Sequence, residues 1–297
     1  MTTTPDDMDW TACADLIETA LAEDHAREDV TTGTLVPDDH EAEAVFTVKA
    51  PGVVCGLPLL EAVFHALDPT LVIELDAEDG DTVGAGTVVA RARGRAGTLL
   101  RGERTALNFL QRLSGVATKT AEFVEGTMAT GVGIYDTRKT TPGWRALEKY
   151  AVRCGGGENH RLHLADAAMI KENHLRAAYG ETGPEAIARG VRALLDAIDE
   201  VTIYVEAESQ AELEAAVGAA GEQAGRLVVM LDDFAFEDIR KAVLWVRQQP
   251  TPHPRLEVTG GVTLDRVEGL CATGVQRLST GSVTHSAPAL DISMKLV

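Results

Sequence analysis

Apolar positions recur at helical spacing near the start of the chain. Met8, Cys13, Leu16, Ile17, Ala20 and Leu21 predict an amphipathic helix over 8–22, with Thr11 as a candidate cap. Glu23-Asp24 and Asp29-Val30-Thr31-Thr32-Gly33 read as a polar loop. Over 42–49 the pattern switches to period two, Ala44, Phe46 and Val48 against Val45, Thr47 and Lys49, which predicts a half-buried strand closed by a Pro51-Gly52 turn. A helix over 57–67 ends at Asp68-Pro69, and strands follow at 71–76 and 87–93. Gly80-Asp81-Thr82-Val83-Gly84-Ala85-Gly86 resembles a biotinyl-type hairpin, but no Met-Lys-Met acceptor lies nearby, so a plain glycine-rich turn is the better reading. Residues 98–128 predict a long bridging helix, broken at Ser114-Gly115.

From about residue 130 short apolar runs alternate with helical stretches. The runs are 133–135, 168–170, 203–205, 227–231, 256–258 and 275–278; the clearest helices are 184–198, 209–220, 235–247 and 263–271. Repeated βα units imply a parallel sheet and an α/β class. Six strands are too few for a complete eight-stranded barrel and fit an incomplete (open) βα barrel. A doubly wound sheet competes, although no G-x-G-x-x-G follows the first strand.

The residues just after each run carry the chemistry. Asp136-Thr137-Arg138-Lys139, Lys171-Glu172-Asn173-His174, Glu206, Asp232-Asp233, Thr259-Gly260-Gly261 and Ser279-Thr280-Gly281-Ser282 stand at successive strand ends, positions that converge on one face of a barrel. Arg138, Lys139, Arg161 and Lys171, with His160 beside them, suit an anionic small molecule. Glu206 and Asp232 are hard oxygen donors of the kind Mg²⁺ takes together with substrate phosphate; pairing with the lysines is their plainer explanation. The glycines of Thr259-Gly260-Gly261, before a helix Thr263 could cap, and of Thr280-Gly281-Ser282 suit phosphate. His160-x-x-His163 lacks a third nearby ligand, and Trp144 and Tyr150 read as core or pocket wall.

Composition narrows the class. The chain is 45% hydrophobic but only 4% aromatic, so its core is aliphatic. A net charge of −19 argues against nucleic acid or an anionic membrane as partner. No apolar run approaches a membrane span, and a polar, acidic start is unlike a signal peptide, so a cytoplasmic location is expected. Cys13, Cys55, Cys154 and Cys271 form no C-x-x-C pair and read as small buried hydrophobes. Dense carboxylate with arginine well ahead of lysine suits work at high salt.

The blocks Asp136–Arg145, Glu148–Val152, Gly155–Gly157, Asn159–Arg161 and Ile170–His174 together resemble the quinolinate phosphoribosyltransferase family. So do Glu103–Asn108, Leu113–Thr118, Ala22–Asp24 and Asp29–Thr32 upstream, and Val205-Glu206, Leu231-Asp232, Gly260-Gly261 and Thr284–Ser286 downstream. The resemblance implies an N-terminal α/β sandwich domain with bridging helix over 1–115, an incomplete βα barrel over 116–285, and a 286–297 tail packing back on the sandwich. It implies transfer of the phosphoribosyl group of 5-phosphoribosyl 1-pyrophosphate to quinolinate with loss of CO₂, with Mg²⁺ as cofactor. Thr137 and Arg138, His160, Arg161 and Lys171 would bind quinolinate, together with Arg104 donated by a neighbouring subunit of a homodimer or larger homo-oligomer. Lys139, Glu206 and Asp232 would face the donor and metal; Thr259–Gly261, Thr280–Ser282 and His285 would hold phosphate. Lys139, Lys171, Glu206 and Asp232 are the catalytic candidates. The chain departs from the family in Thr259 for a frequent Ser, Asp233 for the usual Asn, and Glu172 for a common Asp. Two other enzyme readings compete: nicotinate phosphoribosyl transfer without decarboxylation, and a Schiff-base aldolase using Lys171. A non-catalytic phosphate-metabolite sensor is a third.

Overall fold

The computed structural model describes residues 8–297. In chain order the strands are β1 (Glu41–Val48), β2 (Gly52–Val53), β3 (Val72–Leu75), β4 (Thr82–Val83) and β5 (Val88–Arg95), then β6 (Gly133–Tyr135), β7 (Ala168–Ile170), β8 (Ile203–Ala207), β9 (Leu227–Asp232), β10 (Arg255–Thr259), β11 (Arg277–Ser279) and β12 (Ile292–Leu296). They divide between two compact units.

The first unit comprises the chain to Ala121, Thr141–Gly156 and Val283–Val297. Its main sheet is antiparallel, ordered β12-β1-β5-β3. The alternation expected over 42–49 is real: Ala44, Phe46 and Val48 are wholly buried. The helix Leu57–Leu67 packs on them, Phe64 meeting Phe46 edge-on at 5.9 Å. Asp79 starts that helix, accepting from the Gly56 and Leu57 amides and from the Tyr150 hydroxyl, the last at 2.9 Å. Cys55, Asp79 and Cys154 lie within 4.8 Å of one another, but Asp79 is committed to these donors and burial pushes the Cys55 thiol up, so the cluster is structural. All four cysteines are free and buried.

Three expectations change here. The helix Ala96–Glu125 runs unbroken for 30 residues. Ser114 and Gly115 are needed for packing: the Ser114 hydroxyl accepts from the Cys55 amide at 2.9 Å, and a Cβ at Gly115 would collide with the Pro288 carbonyl. The polar loop contains a short helix, Val30–Leu35, capped by Asp29. The segment Thr141–Gly156, within the range expected for the barrel, belongs instead to the first unit. Its helix Arg145–Cys154 is tied there by wholly buried Glu148, whose Oε1 accepts from Arg112 at 2.7 Å. Arg112 also donates to the Thr284 and Ala287 carbonyls, fixing the stretch that leads to β12.

Asp68, just beyond the Leu57–Leu67 helix, accepts from the Thr70 hydroxyl at 2.7 Å and from Arg95 at 2.9 Å, and these partners hold its carboxyl down at about 2. A carboxyl depressed in the folded state adds stability above its unfolded value and loses it as pH falls through the folded one. Asp68→Asn is therefore expected to lower the melting temperature at pH 7 by roughly 2–6 °C. Melts across a pH series should show the gap to wild type closing between about pH 4 and pH 2.

The second unit comprises Glu122–Thr140 and Gly157–Ser282. Six parallel strands run β6-β11-β10-β9-β8-β7, with no ladder joining β6 to β7, so the barrel is open. Helices Pro184–Ala197, Gln210–Ala220, Phe236–Arg247 and Leu264–Cys271 follow successive strands, each burying one apolar face. The interior packs Tyr204, Val228 and Met230 with Ala167. Among the described residues no helix is long and apolar enough to cross a membrane.

Candidate active site

A cavity of about 380 Å³ opens at the carboxyl ends of the barrel strands, the usual place for function in this architecture. Each strand brings its polar group there for a local reason. After β6, the Thr137 hydroxyl accepts from the Lys139 amide at 3.0 Å, turning Arg138 and Lys139 into the cavity. Asp136, wholly buried, ties this loop to the next: Oδ1 accepts from the His160 amide at 2.7 Å and Oδ2 from Asn159 at 2.9 Å. That bond sets His160 and Arg161 on the cavity wall. Lys171 ends the strand conformation of β7 and precedes the helix Glu172–Tyr179, its amide donating to His174 Nδ1 at 3.1 Å. Glu206 of β8, Asp232 of β9 and Thr259 of β10 complete the ring, with Gly260.

The charges oppose one another in a telling way. Lys171 Nζ donates to Glu206 Oε1 at 2.6 Å. Burial, then the Glu206 and Asp233 carboxylates, push the Asp232 carboxyl up, while Lys171 and Lys139 pull it back. Two carboxylates at adjacent strand ends, both hard oxygen donors, fit a divalent cation such as Mg²⁺. On the opposite side burial and the nearby Arg138 guanidinium push Arg161 below the usual arginine range. The Nε atoms of Arg138 and Arg161 are buried without a protein acceptor. Paired guanidiniums in that condition suit an anion with planar oxygen pairs.

Of the expected substrate residues, Thr137, Arg138, Lys139, His160, Arg161 and Lys171 line the one cavity. Arg104 lies in the first unit, lining a separate hollow with Glu23, Asp24, Asn108 and Trp144, where Trp144 stacks on Phe109 at 4.9 Å. Of the phosphate candidates Thr259 and Gly260 line the cavity. Gly261, Thr280, Gly281 and Ser282 follow the same strands without lining it, and the Thr280 hydroxyl is engaged with that of Ser282 at 2.9 Å. His285, exposed, holds the Ser286 hydroxyl at 2.6 Å. His163 pairs with Asp166 at 2.8 Å rather than with His160. The three departures have local explanations. Thr259 keeps a hydroxyl on the cavity, and Glu172 pairs with Arg176 at 2.5 Å. Exposed Asp233 sits at φ 55°, a left-handed conformation that Asn and Asp tolerate best.

Ser279, expected at a strand end, also lines the cavity, as do Met169 and Met230, which were not singled out by sequence. Nor were Glu257 and Arg277 behind it, although polar residues alternating with apolar ones in Arg255-Leu256-Glu257-Val258-Thr259 carried the signal. Gly260 has φ 73°, and a Cβ on it would lie 2.5 Å from Asp232 Oδ1. Gly260→Ala is thus expected to displace Asp232 and cost on the order of 10²-fold in kcat, measured at saturating substrates.

Fold and site together define a barrel enzyme with a cavity whose cations suit anionic metabolites, beside a candidate cation site. Residues 29–114 match the quinolinate phosphoribosyl transferase N-terminal domain and 116–295 its C-terminal domain. The chain is 40% identical over 271 residues to a Bacillus subtilis protein named "Probable nicotinate-nucleotide pyrophosphorylase [carboxylating]", covering 90% of this chain and 89% of that one. A Synechocystis protein of the same name is 38% identical, covering 97% and 94%. The solved structure of the nicotinate-nucleotide pyrophosphorylase from Francisella tularensis superimposes with a TM-score of 0.88 at 33% identity, covering 100% of both chains. The chain belongs to the quinolinate phosphoribosyl transferase family.

Proposed function

We propose that this enzyme joins quinolinate to 5-phosphoribosyl 1-pyrophosphate, releasing pyrophosphate and CO₂ and leaving nicotinate mononucleotide for NAD biosynthesis. The observation that carries the reading is a single cavity with two guanidiniums and two lysines on its walls and two carboxylates at adjacent strand ends. Arg138, His160, Arg161 and Lys171, with Thr137, hold the pyridine carboxylates; Met169 and Met230 offer an apolar wall for the ring. Lys139, Glu206 and Asp232 face the donor, and Thr259–Gly261 with Thr280–Ser282 its phosphates. Glu206 and Asp232 would hold Mg²⁺, partly through water, which when bound neutralises the charge of the departing pyrophosphate. The cations align the ring nitrogen with the ribose carbon, a placement worth about 7–11 kcal/mol at its upper limit. Once the new C–N bond forms, the ring nitrogen is positive. As CO₂ leaves, the electron pair of the C–CO₂ bond stays on the ring carbon as a carbanion stabilised by the adjacent positive nitrogen, and a proton from Lys139 or Lys171 then takes the place of CO₂.

By the family resemblance Arg104, which does not line the barrel cavity of its own chain, would enter a neighbour's cavity in a homo-oligomer, at least a dimer. The four free thiols suit a reducing cytoplasm. A Schiff base at Lys171 would break its 2.6 Å contact with Glu206 and would leave the carboxylates and glycine turns without a role, which weakens the aldolase reading. The test is an assay with quinolinate, the phosphoribosyl donor and Mg²⁺, following CO₂ and mononucleotide. Mononucleotide formed from nicotinate, with none from quinolinate, would move the enzyme to the non-decarboxylating reaction; binding without turnover would leave a sensor.

A further inference from the structure

Behind His160 the barrel interior carries charge where branched aliphatic side chains are the rule. Glu257 is fully buried, and Arg277 and His160 are 5% and 6% exposed. Strand register sets the first two side by side, Glu257 of β10 opposite Arg277 of β11. Glu257 Oε1 stands 3.2 Å from His160 Nε2. Its Oε2 stands 3.2 Å from Arg277 Nε, an ion pair rather than an aligned hydrogen bond. The Arg277 guanidinium lies 3.6 Å over the Tyr135 ring, whose hydroxyl donates to Glu158 at 2.6 Å. The His160 ring packs on Tyr204, centroids 4.1 Å apart. A buried ion pair is a poor source of stability, because desolvation offsets its attraction. An aliphatic pair would fill the same register, so the charges call for another role.

His160 lines the substrate cavity and Glu257 does not. We infer that Glu257 is a positioning residue: through its two oxygens it joins His160 to the ring-clamped Arg277 and fixes the imidazole plane and the Nε2–H tautomer for the pyridine substrate. A carboxylate only accepts, so its bond to Nε2 demands the proton there. Burial opposes the charge on Glu257, but its contacts with His160 and Arg277 outweigh it and hold the carboxyl below the usual range. The same arrangement, a carboxylate behind a functional histidine, orients the ring in metal sites and catalytic triads.

The inference rests on the quinolinate reading, and its test separates the two. Wild type is assayed first; no turnover of quinolinate would sink that reading alone. Glu257→Gln keeps the shape and removes the charge. It is expected to raise the KM for quinolinate roughly 10–100-fold, the range for partners behind a functional histidine, with the KM for the phosphoribosyl donor unchanged. In ¹⁵N-histidine spectra without substrate, with the His160 signal assigned by its loss in His160→Asn, wild type should show the Nε2–H tautomer and Glu257→Gln should lose it. Should Glu257→Gln fail to fold, Glu257→Gln/Arg277→Gln removes both charges at once and is read in the same two ways. A folded variant with unchanged quinolinate KM and an unchanged His160 signal would overturn the inference.

Discussion

Lys171→Ala is expected to lower kcat/KM for quinolinate roughly 10²–10³-fold, as loss of one preorganised charge at a reacting centre commonly does. Lys171 has two duties in the proposed site. It is one of the cations for the pyridine carboxylates, and at 2.6 Å it is the counter-charge of Glu206. Its loss also acts on Asp232. That carboxyl is already raised by burial and by Glu206 and Asp233, and Lys171 is one of the two groups opposing the shift. Without Lys171 the Asp232 carboxyl rises further. A divalent cation needs the carboxylate ionised, so Mg²⁺ binding should weaken at a higher pH than in wild type as the solution is acidified. Calorimetric titration of Mg²⁺ across a pH series reads this directly, and coincident pH profiles for the two proteins would contradict it.

Arg104→Ala is expected to cost roughly 10–10²-fold, the worth of a charge-assisted hydrogen bond to a carboxylate. The informative experiment is complementation. In a dimer with shared sites, Arg104→Ala lacks the donated guanidinium and Lys139→Ala lacks the receiving pocket's lysine. Equal mixing with free exchange makes half the dimers hybrid, each with one intact site, so about a quarter of wild-type activity should return. No recovery after exchange is confirmed by mass-tagged subunits would show that Arg104 serves its own subunit or none.

The barrel was legible because its signal is repetitive. Apolar runs at 133–135 and 168–170 coincide with β6 and β7, and every strand-end group from Arg138 to Thr259 falls at the barrel's carboxyl end. Elements governed by distant partners were not. Ser114-Gly115 reads locally as a break, and only its distant partners, the Cys55 amide and the chain near Pro288, explain it. The helix Arg145–Cys154 belongs to the first unit through partners far away in sequence, the Arg112–Glu148 contact among them. Glu257 and Arg277 lie inside strands rather than at their ends, and period-two alternation around Glu257 is the one local sign of them.

The pairing of β1 with β12 sets an order on synthesis, Val48 lying opposite Ile292. A ribosome releases the first of these strands long before the second. Until then β1 keeps one row of amides and carbonyls uncovered, an edge on which strangers can add. The barrel, contained between them, can close first. Folding during translation would therefore run from the middle outward, and a chaperone or ribosome-held intermediate should have the barrel protected from proteases while its leading domain is still cut.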